Sequence, residues 1–502
     1  MKNILLISPQ YRGFKPEFPL GLGYVAAALE SVGYRPKIID LNIDDLSYLT
    51  KCLKEDWLFI GISGFTFAFK QIDDLVKQIR KANNSPLVLG GIIVNSYPEF
   101  MANYFTEVDY FVNGEGEITA VELAKNLEND EALFGSILGL IYRQNGEIIF
   151  NASRPLIKNI DTIDFPARHL FDLSKYAKLS NPPFSRNASI IGSRGCFAKC
   201  TFCFRNFNGE YRTRSVNSVL DEIELLINHY NIEYIDFRDE LFLATDSRIM
   251  AFCSGIKERQ LHFIWGAAIR IDSVKNKETY RAMRACGCIY LTMGTETASE
   301  KILEVMNKGV SKKTIIQSLS LMKNSGISVS TSFIVGMPGE TKETIKETEE
   351  AIKSIGFPAG QVYLPRAFPG SWLYDYSIKN GFITNEIEYL NKVSVGSIFD
   401  LIVNYTDMSN SELLFRQKQM NGEMFFGSKF IHGQINMLYS IIAAKKWAVL
   451  VKYFCCYSVV ILKDLLAIIK KKLLEAKKGS FNLKYMNKED ECNATSECFC
   501  DR

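Results

Sequence analysis

The segment GCFAKCTFCF, residues 195–204, sets Cys196, Cys200 and Cys203 in a C-x3-C-x2-C spacing and provides no fourth cysteine nearby. The amino-terminal MKNILLISPQ carries one Lys and a five-residue apolar run ending in Ser-Pro, which reads as a buried first strand rather than a secretion signal and points to a cytoplasmic protein. In a reducing compartment, three thiols packed this tightly point to a metal site rather than to disulfides. A structural zinc knuckle is one such site. Of the other cysteines, Cys52, Cys253, Cys286 and Cys288 lie in apolar surroundings and read as buried thiols.

The chain has 502 residues, 47% hydrophobic and 23% charged, enough for two or three domains with substantial cores. A net charge of +3 gives no general affinity for nucleic acid. Apolar runs at 2–8, 37–41, 57–63, 86–91 and 108–114 alternate with helical patterns, which predicts an α/β, doubly wound parallel sheet. Ligands of such sheets lie beyond the carboxyl ends of the strands. Here those ends carry Ser63, Gly90, Gly91 and the run Gly114-Glu115-Gly116-Glu117. Gly21, Gly23 and Ala26 spell a dinucleotide fingerprint, but twelve residues separate them from the first strand, where that fingerprint follows its strand directly. A hairpin with Asn145-Gly146 at its turn follows. Next comes a linker at 165–176 that holds the first histidine of the chain, His169, for which a surface or packing role is expected.

From residue 189, strand and helix patterns alternate six times: SIIGSRG, YIDFRD, FIWGAAIR, CIYLTMG, VSTSFIVG and QVYLP. They predict a partial (β/α)6 barrel with its site at the carboxyl ends. The expected units are 1–135, a hairpin and linker 136–185, the barrel 186–375, a mainly helical region 376–478, and a tail 479–502 without element patterns that contains Cys492, Cys498 and Cys500. Segment 437–478 has nine Lys against Asp464 and Glu475, and its longest uncharged run is ten residues, too short to span a membrane. It could dock on anionic lipid at the inner membrane face or pack on the barrel; we favour packing.

PLGLGYVAAALESVGY, LGG followed by YPE, and VDYFVNGEGE together resemble the cobalamin-binding domain that precedes many radical S-adenosylmethionine (SAM) enzymes, and CFAKCTFC resembles their cluster motif. The resemblance implies corrinoid contacts from Ser63, Thr66, Gly90, Gly91, Gly114, Glu115, Gly116 and Glu117, with no histidine before residue 169 to ligate cobalt. It implies a [4Fe-4S] cluster on Cys196, Cys200 and Cys203, whose fourth iron takes SAM. It assigns the strand ends too. Gly294 admits the adenosine, Glu296 accepts from the ribose, Ile334, Val335 and Gly336 pair with adenine, and Arg270 forks onto the methionine carboxylate unless it is paired to Asp272 or Glu296. Asp239 and Glu240 hold the amino group of SAM or the substrate.

The function implied is methyl transfer to an unactivated carbon of a small-molecule, lipid or peptide substrate, through methylcobalamin and a 5'-deoxyadenosyl radical, with a flavodoxin or ferredoxin as electron donor. The alternatives are a non-methylating radical reaction in the same architecture (cyclisation, ring contraction or hydroxylation) and a cobalamin carrier or sensor with a vestigial barrel.

Overall fold

The computed structural model describes residues 2–12, 16–129, 133–179, 186–322, 325–355 and 360–426. Segment 437–478 and the three tail cysteines lie outside them. Among the described residues, no helix is long and apolar enough to cross a membrane.

Five strands, β1 (Asn3–Ser8), β2 (Arg35–Asp40), β3 (Ile60–Ser63), β4 (Leu87–Gly90) and β5 (Tyr110–Val112), form a parallel sheet in the order β2-β1-β3-β4-β5. Ile4, Leu5, Leu6 and Ile7 are all buried, as expected for a strand covered by helices on both faces. The strand order reverses between β1 and β3, which opens a crevice beyond Ser8 and Ser63, where doubly wound sheets take their ligands.

The hairpin β6 (Leu140–Gln144) and β7 (Glu147–Phe150) pairs antiparallel to β5 and closes that edge. Its turn residues Asn145 and Gly146 both have positive φ, 53° and 85°, as a two-residue hairpin turn requires. The sheet therefore runs to Phe150, past the expected boundary at 135, because β5 would otherwise be an open edge.

The second sheet contains β8 (Asn187–Ile190), then, after the short pair β9 (Ser193–Arg194) and β10 (Arg212–Thr213), the strands β11 (Tyr234–Phe237), β12 (Ile264–Arg270), β13 (Cys288–Glu296), β14 (Ser328–Ile334) and β15 (Gly360–Tyr363). All six of its strands are parallel, in the order β15-β14-β13-β12-β11-β8, with helices between them. Ile269, Leu291 and Val329 point into the outer helical layer, whereas Ala268 in mid-strand is exposed. The inner face is thus open, as in the expected partial barrel.

Three helices, Trp372–Lys379, Glu386–Val395 and Asn410–Phe426, make the described part of the carboxyl-terminal region helical. The second packs on the first sheet's helix Phe69–Ala82, where the Gln71 amide donates to the Ser394 carbonyl at 2.9 Å. The third covers the free edge of β15: Asn421 accepts from the Val362 amide at 2.8 Å and donates to its carbonyl at 3.1 Å. One apolar core joins Ile62 and Leu89 of the sheet and Ile72 of its helix to Met337 of the barrel and Leu390 of these helices, so the two sheets are packed into one body.

Candidate functional site

The cysteine loop has a gripped neck. β9 and β10 pair antiparallel, Arg194 opposite Arg212, and everything from Gly195 to Tyr211 hangs from them. Gly195 has φ +80°, and a Cβ there would meet the Glu210 carbonyl oxygen at 2.1 Å, so only glycine fits. Farther along, the Thr201 amide donates to Met306 at 2.9 Å, the Leu373 amide donates to Thr201 at 3.0 Å, and Asn307 donates to the Lys199 carbonyl at 3.1 Å. Cys200 is buried, Cys196 half-buried, and Cys203 keeps an open surface. Burial raises the Cys200 thiol, and crowding by surrounding protein pushes Cys203 up to about 12. A bound metal would reverse this by deprotonating its ligands. Among the described residues, no group of three His, Cys, Asp or Glu side chains is drawn together as it would be around a bound ion. An all-sulfur set in which each thiolate takes its own iron suits a cluster.

Around the loop stand the strand ends. Glu296 follows a break in the β13–β14 register and has φ +65°, a strained value for a non-glycine residue. Its buried carboxylate pairs with the buried Lys308 ammonium at 2.8 Å. Arg270 forks onto Asp272, at 2.9 and 3.2 Å, and also donates to the Lys308 carbonyl. The alternative to a carboxylate clamp, the pairing with Asp272, is what the structure contains, so a ligand would have to share or displace that partner. Asp239 uses one oxygen to accept from the Gly192 amide at 2.8 Å and the Ser193 hydroxyl at 2.6 Å, which fixes the approach to β9. Its other oxygen is buried with no partner, and burial raises the carboxyl to about 7. Glu240 is exposed, and nearby protein raises it, too, to about 7.

At the end of β14, Glu340 accepts from the amides of Gly336 and Met337, and the Val335 amide donates to Tyr363. Val335 and Gly336 are therefore left with carbonyl oxygens to offer an adenine amino edge, and Ile334 is half-buried beside them. Gly294 sits against the Glu296–Lys308 pair, where a Cβ would clash with the Glu296 carboxylate at 2.1 Å.

On the first sheet, Ser63 ends β3 at the crevice, and Gly91 (φ +88°) leaves no room for a side chain beside the Ser63 hydroxyl. Gly90 ends β4, with Val112 beyond it. Thr66 is buried and hydrogen-bonded to Ser96 at 3.0 Å, so its hydroxyl is engaged within the protein. Gly114 (φ +113°) faces open space, and Gly116 starts the helix Gly116–Leu127.

The carboxylates of Glu115 and Glu117 are paired within the protein. Glu115 binds Arg194 at 2.7 Å and Arg212 at 3.0 Å and accepts from the Ile157 amide at 2.8 Å; Glu117 binds Arg194 at 2.5 Å. Burial alone would raise the Glu115 carboxyl, but Arg212, Arg194 and the Ile157 amide outweigh it and hold the group below its usual range. These side chains join the sheet to the cysteine loop. His169 is exposed and sits 3.0 Å from Glu30, near the end of the helix Leu20–Ser31 and remote from the crevice at its start.

Sequence reading missed four site residues. Arg194 and Arg212 carry no signal beyond flanking the cysteines, and Lys308 meets Glu296 only through the fold. Glu340, four residues after Gly336 in a turn, could have been found from that spacing.

Residues 190–352 match the family model of the radical SAM superfamily, and residues 15–124 match that of the B12 binding domain. An uncharacterized methyltransferase of Pyrococcus horikoshii is 32% identical over 394 residues, which cover 76% of this chain and 84% of that protein. The cytidylyl-2-hydroxyethylphosphonate methyltransferase of Streptomyces wedmorensis is 25% identical, covering 77% and 83%. The anaerobic magnesium-protoporphyrin IX monomethyl ester cyclase of Cereibacter sphaeroides is 29% identical over 69% of this chain, which spans 59% of the cyclase. Among solved structures, the radical SAM methyltransferase TsrM of Kitasatospora setae, with tryptophan substrate and a SAM analogue bound, aligns with a TM-score of 0.64 at 20% identity over 76% of this chain and 77% of its own. The cobalamin-dependent radical SAM enzyme OxsB, with aqua-cobalamin and SAM bound, aligns at 0.61 and 22% over 84% and 61%. The chain belongs to the radical SAM enzymes that carry a B12-binding domain.

Proposed function

We propose that this protein is a methyltransferase that places a methyl group on an unactivated carbon of a small molecule. The observation that carries this reading is the position of the cysteine loop, hydrogen-bonded to the carboxyl edge of the first sheet through Asn95 and Asn206, at 3.1 Å, and through Glu115 and Glu117, while the barrel grips its approach through Asp239. A group on the loop and a group on the sheet to which the loop is tied would be held close and oriented, which is what transfer between cofactors needs. Cys196, Cys200 and Cys203 would hold the cluster, Glu296 and the 334–336 backbone would orient SAM, and the crevice at Ser63, Gly91 and Gly114 would seat the corrinoid.

When bound, the cluster supplies the electron that splits SAM, and the corrinoid carries the methyl group. The chain's own part is to bind, orient and exclude water. The open inner face of the barrel gives the substrate its place, with the uncommitted Glu240 carboxyl able to hold a donor group there. The methyltransferase relatives support methyl transfer, and the cyclase relative supports a second, non-methylating reading. Deleting the gene and comparing cell extracts tests the first. A vanished metabolite matched by an accumulating precursor that lacks one methyl group is expected; a pair differing by any other composition would replace methyl transfer with the second reading.

A further inference from the structure

The acidic pair of the GEGE turn lies at the carboxyl end of β5, on the edge that faces the crevice, yet both carboxylates are committed to the neck of the cysteine loop. Arg194 stands on β9 and Arg212 opposite it on β10, so Glu115 holds both strands of that neck at once, at 2.7 and 3.0 Å. Glu117 adds a second contact to Arg194. Arg212 also donates to the Ile157 carbonyl at 2.7 Å, in the linker between the sheets, and stacks on Phe207 of the loop itself. Arg194 stacks on Tyr24 of the sheet's first helix. Glu115, Glu117 and Arg212 are each less than a tenth exposed. Arg212 uses one terminal nitrogen only, its Nε and other terminal nitrogen being buried without a partner. Among the described residues Glu115 is therefore its one counter-charge, and removing Glu115 would leave Arg212 buried and uncompensated.

Elsewhere the two sheets share apolar packing, which is non-directional, and single polar ties such as Asn95–Asn206 and Arg238–Glu17. This network is directional, and it joins the turn beside the corrinoid crevice to the base of the cluster loop.

We propose that Glu115, clasped by Arg194 and Arg212, is a positioning residue that fixes the cluster loop relative to the corrinoid crevice and binds neither cofactor itself. The proposal rests on the reading that this chain holds both cofactors, but not on methyl transfer. A corrinoid ligand would spend at least one carboxylate oxygen on its cofactor; both oxygens of Glu115 are spent on protein.

The test uses the full chain, anaerobically loaded with cobalamin and an iron–sulfur cluster. In the cob(II)alamin state with the cluster reduced, both centres are paramagnetic, and pulsed EPR reads their separation from the relaxation each imposes on the other. The unaltered protein should give one relaxation rate. Glu115→Gln, which keeps shape but loses the charge, should bind both cofactors in full and replace the single rate by a spread. The double variant Glu115→Gln/Arg212→Met removes the stranded charge and should behave alike. Glu117→Gln, which breaks one contact only, should spread the rates less and decides the matter if the other two do not fold. An unchanged single rate in every folded variant overturns the proposal, as does loss of cobalamin alone, which would make Glu115 a corrinoid ligand, or of the cluster alone. Failure of the unaltered chain to take up either cofactor would instead overturn the functional reading, and the proposal with it.

Discussion

Replacing Cys196, Cys200 and Cys203 together with Ala is expected to abolish the broad visible absorbance of the reconstituted cluster and all 5'-deoxyadenosine formation. No other described cysteine belongs to this loop, and Cys52, Cys253 and Cys288 are buried in the apolar cores of their own domains. Without thiolates the irons have no ligands, and without a cluster SAM has neither anchor nor electron. Cobalamin uptake should survive, because Ser63, Gly91 and Gly114 stand on the other sheet. Iron content, the visible spectrum and product analysis check all three statements. Retained cluster and retained cleavage would transfer the role to Cys492, Cys498 and Cys500.

The largest loss of stability should come from Glu222, which belongs to neither proposed cofactor site. Its side chain is fully buried in the helix Val216–Tyr230, where it binds Arg168 of the linker at 2.9 Å and Arg214 after β10. Arg168 in turn donates to the Ser189 carbonyl of β8 at 2.7 Å and lies over the Phe18 ring, with its Nε and one terminal nitrogen otherwise unpartnered. Glu222→Ala would strand two guanidinium groups in a dry interior, a loss of about 3–5 kcal/mol for a broken buried pair. Denaturant titration should show a markedly lower midpoint. Glu278→Gln, whose pair with Arg281 is mostly solvent-exposed, should leave it unmoved.

These two expectations differ in how they became visible. Both parallel sheets were legible because each central strand is an apolar run between helices, and the cysteines were legible because their spacing is local. The pairing of Arg270 with Asp272, two residues apart, was open to the same reading and was named as its alternative. What the chain does not spell out is long-range. Glu115 lies 79 positions from Arg194 and 97 from Arg212, and a one-dimensional reading sees two acids in a glycine-rich turn, which look like ligands. Glu222 reads as one more polar residue on an amphipathic helix until Arg168 and Arg214 close on it. The hairpin at 140–150 was seen, but nothing local says that it completes β5's sheet rather than starting a linker.

The central claim is that one chain uses both cofactors to move a methyl group. It is tested most directly by reconstituting the full-length protein anaerobically with cluster and cobalamin, adding SAM, a low-potential reductant and extract from cells lacking the gene as the source of substrate, and counting two products. Methyl transfer predicts 5'-deoxyadenosine and S-adenosylhomocysteine appearing together in equal amounts. Deoxyadenosine without S-adenosylhomocysteine would contradict methyl transfer and favour the cyclase-like chemistry, and the absence of both, with corrinoid bound, would reduce the protein to a carrier.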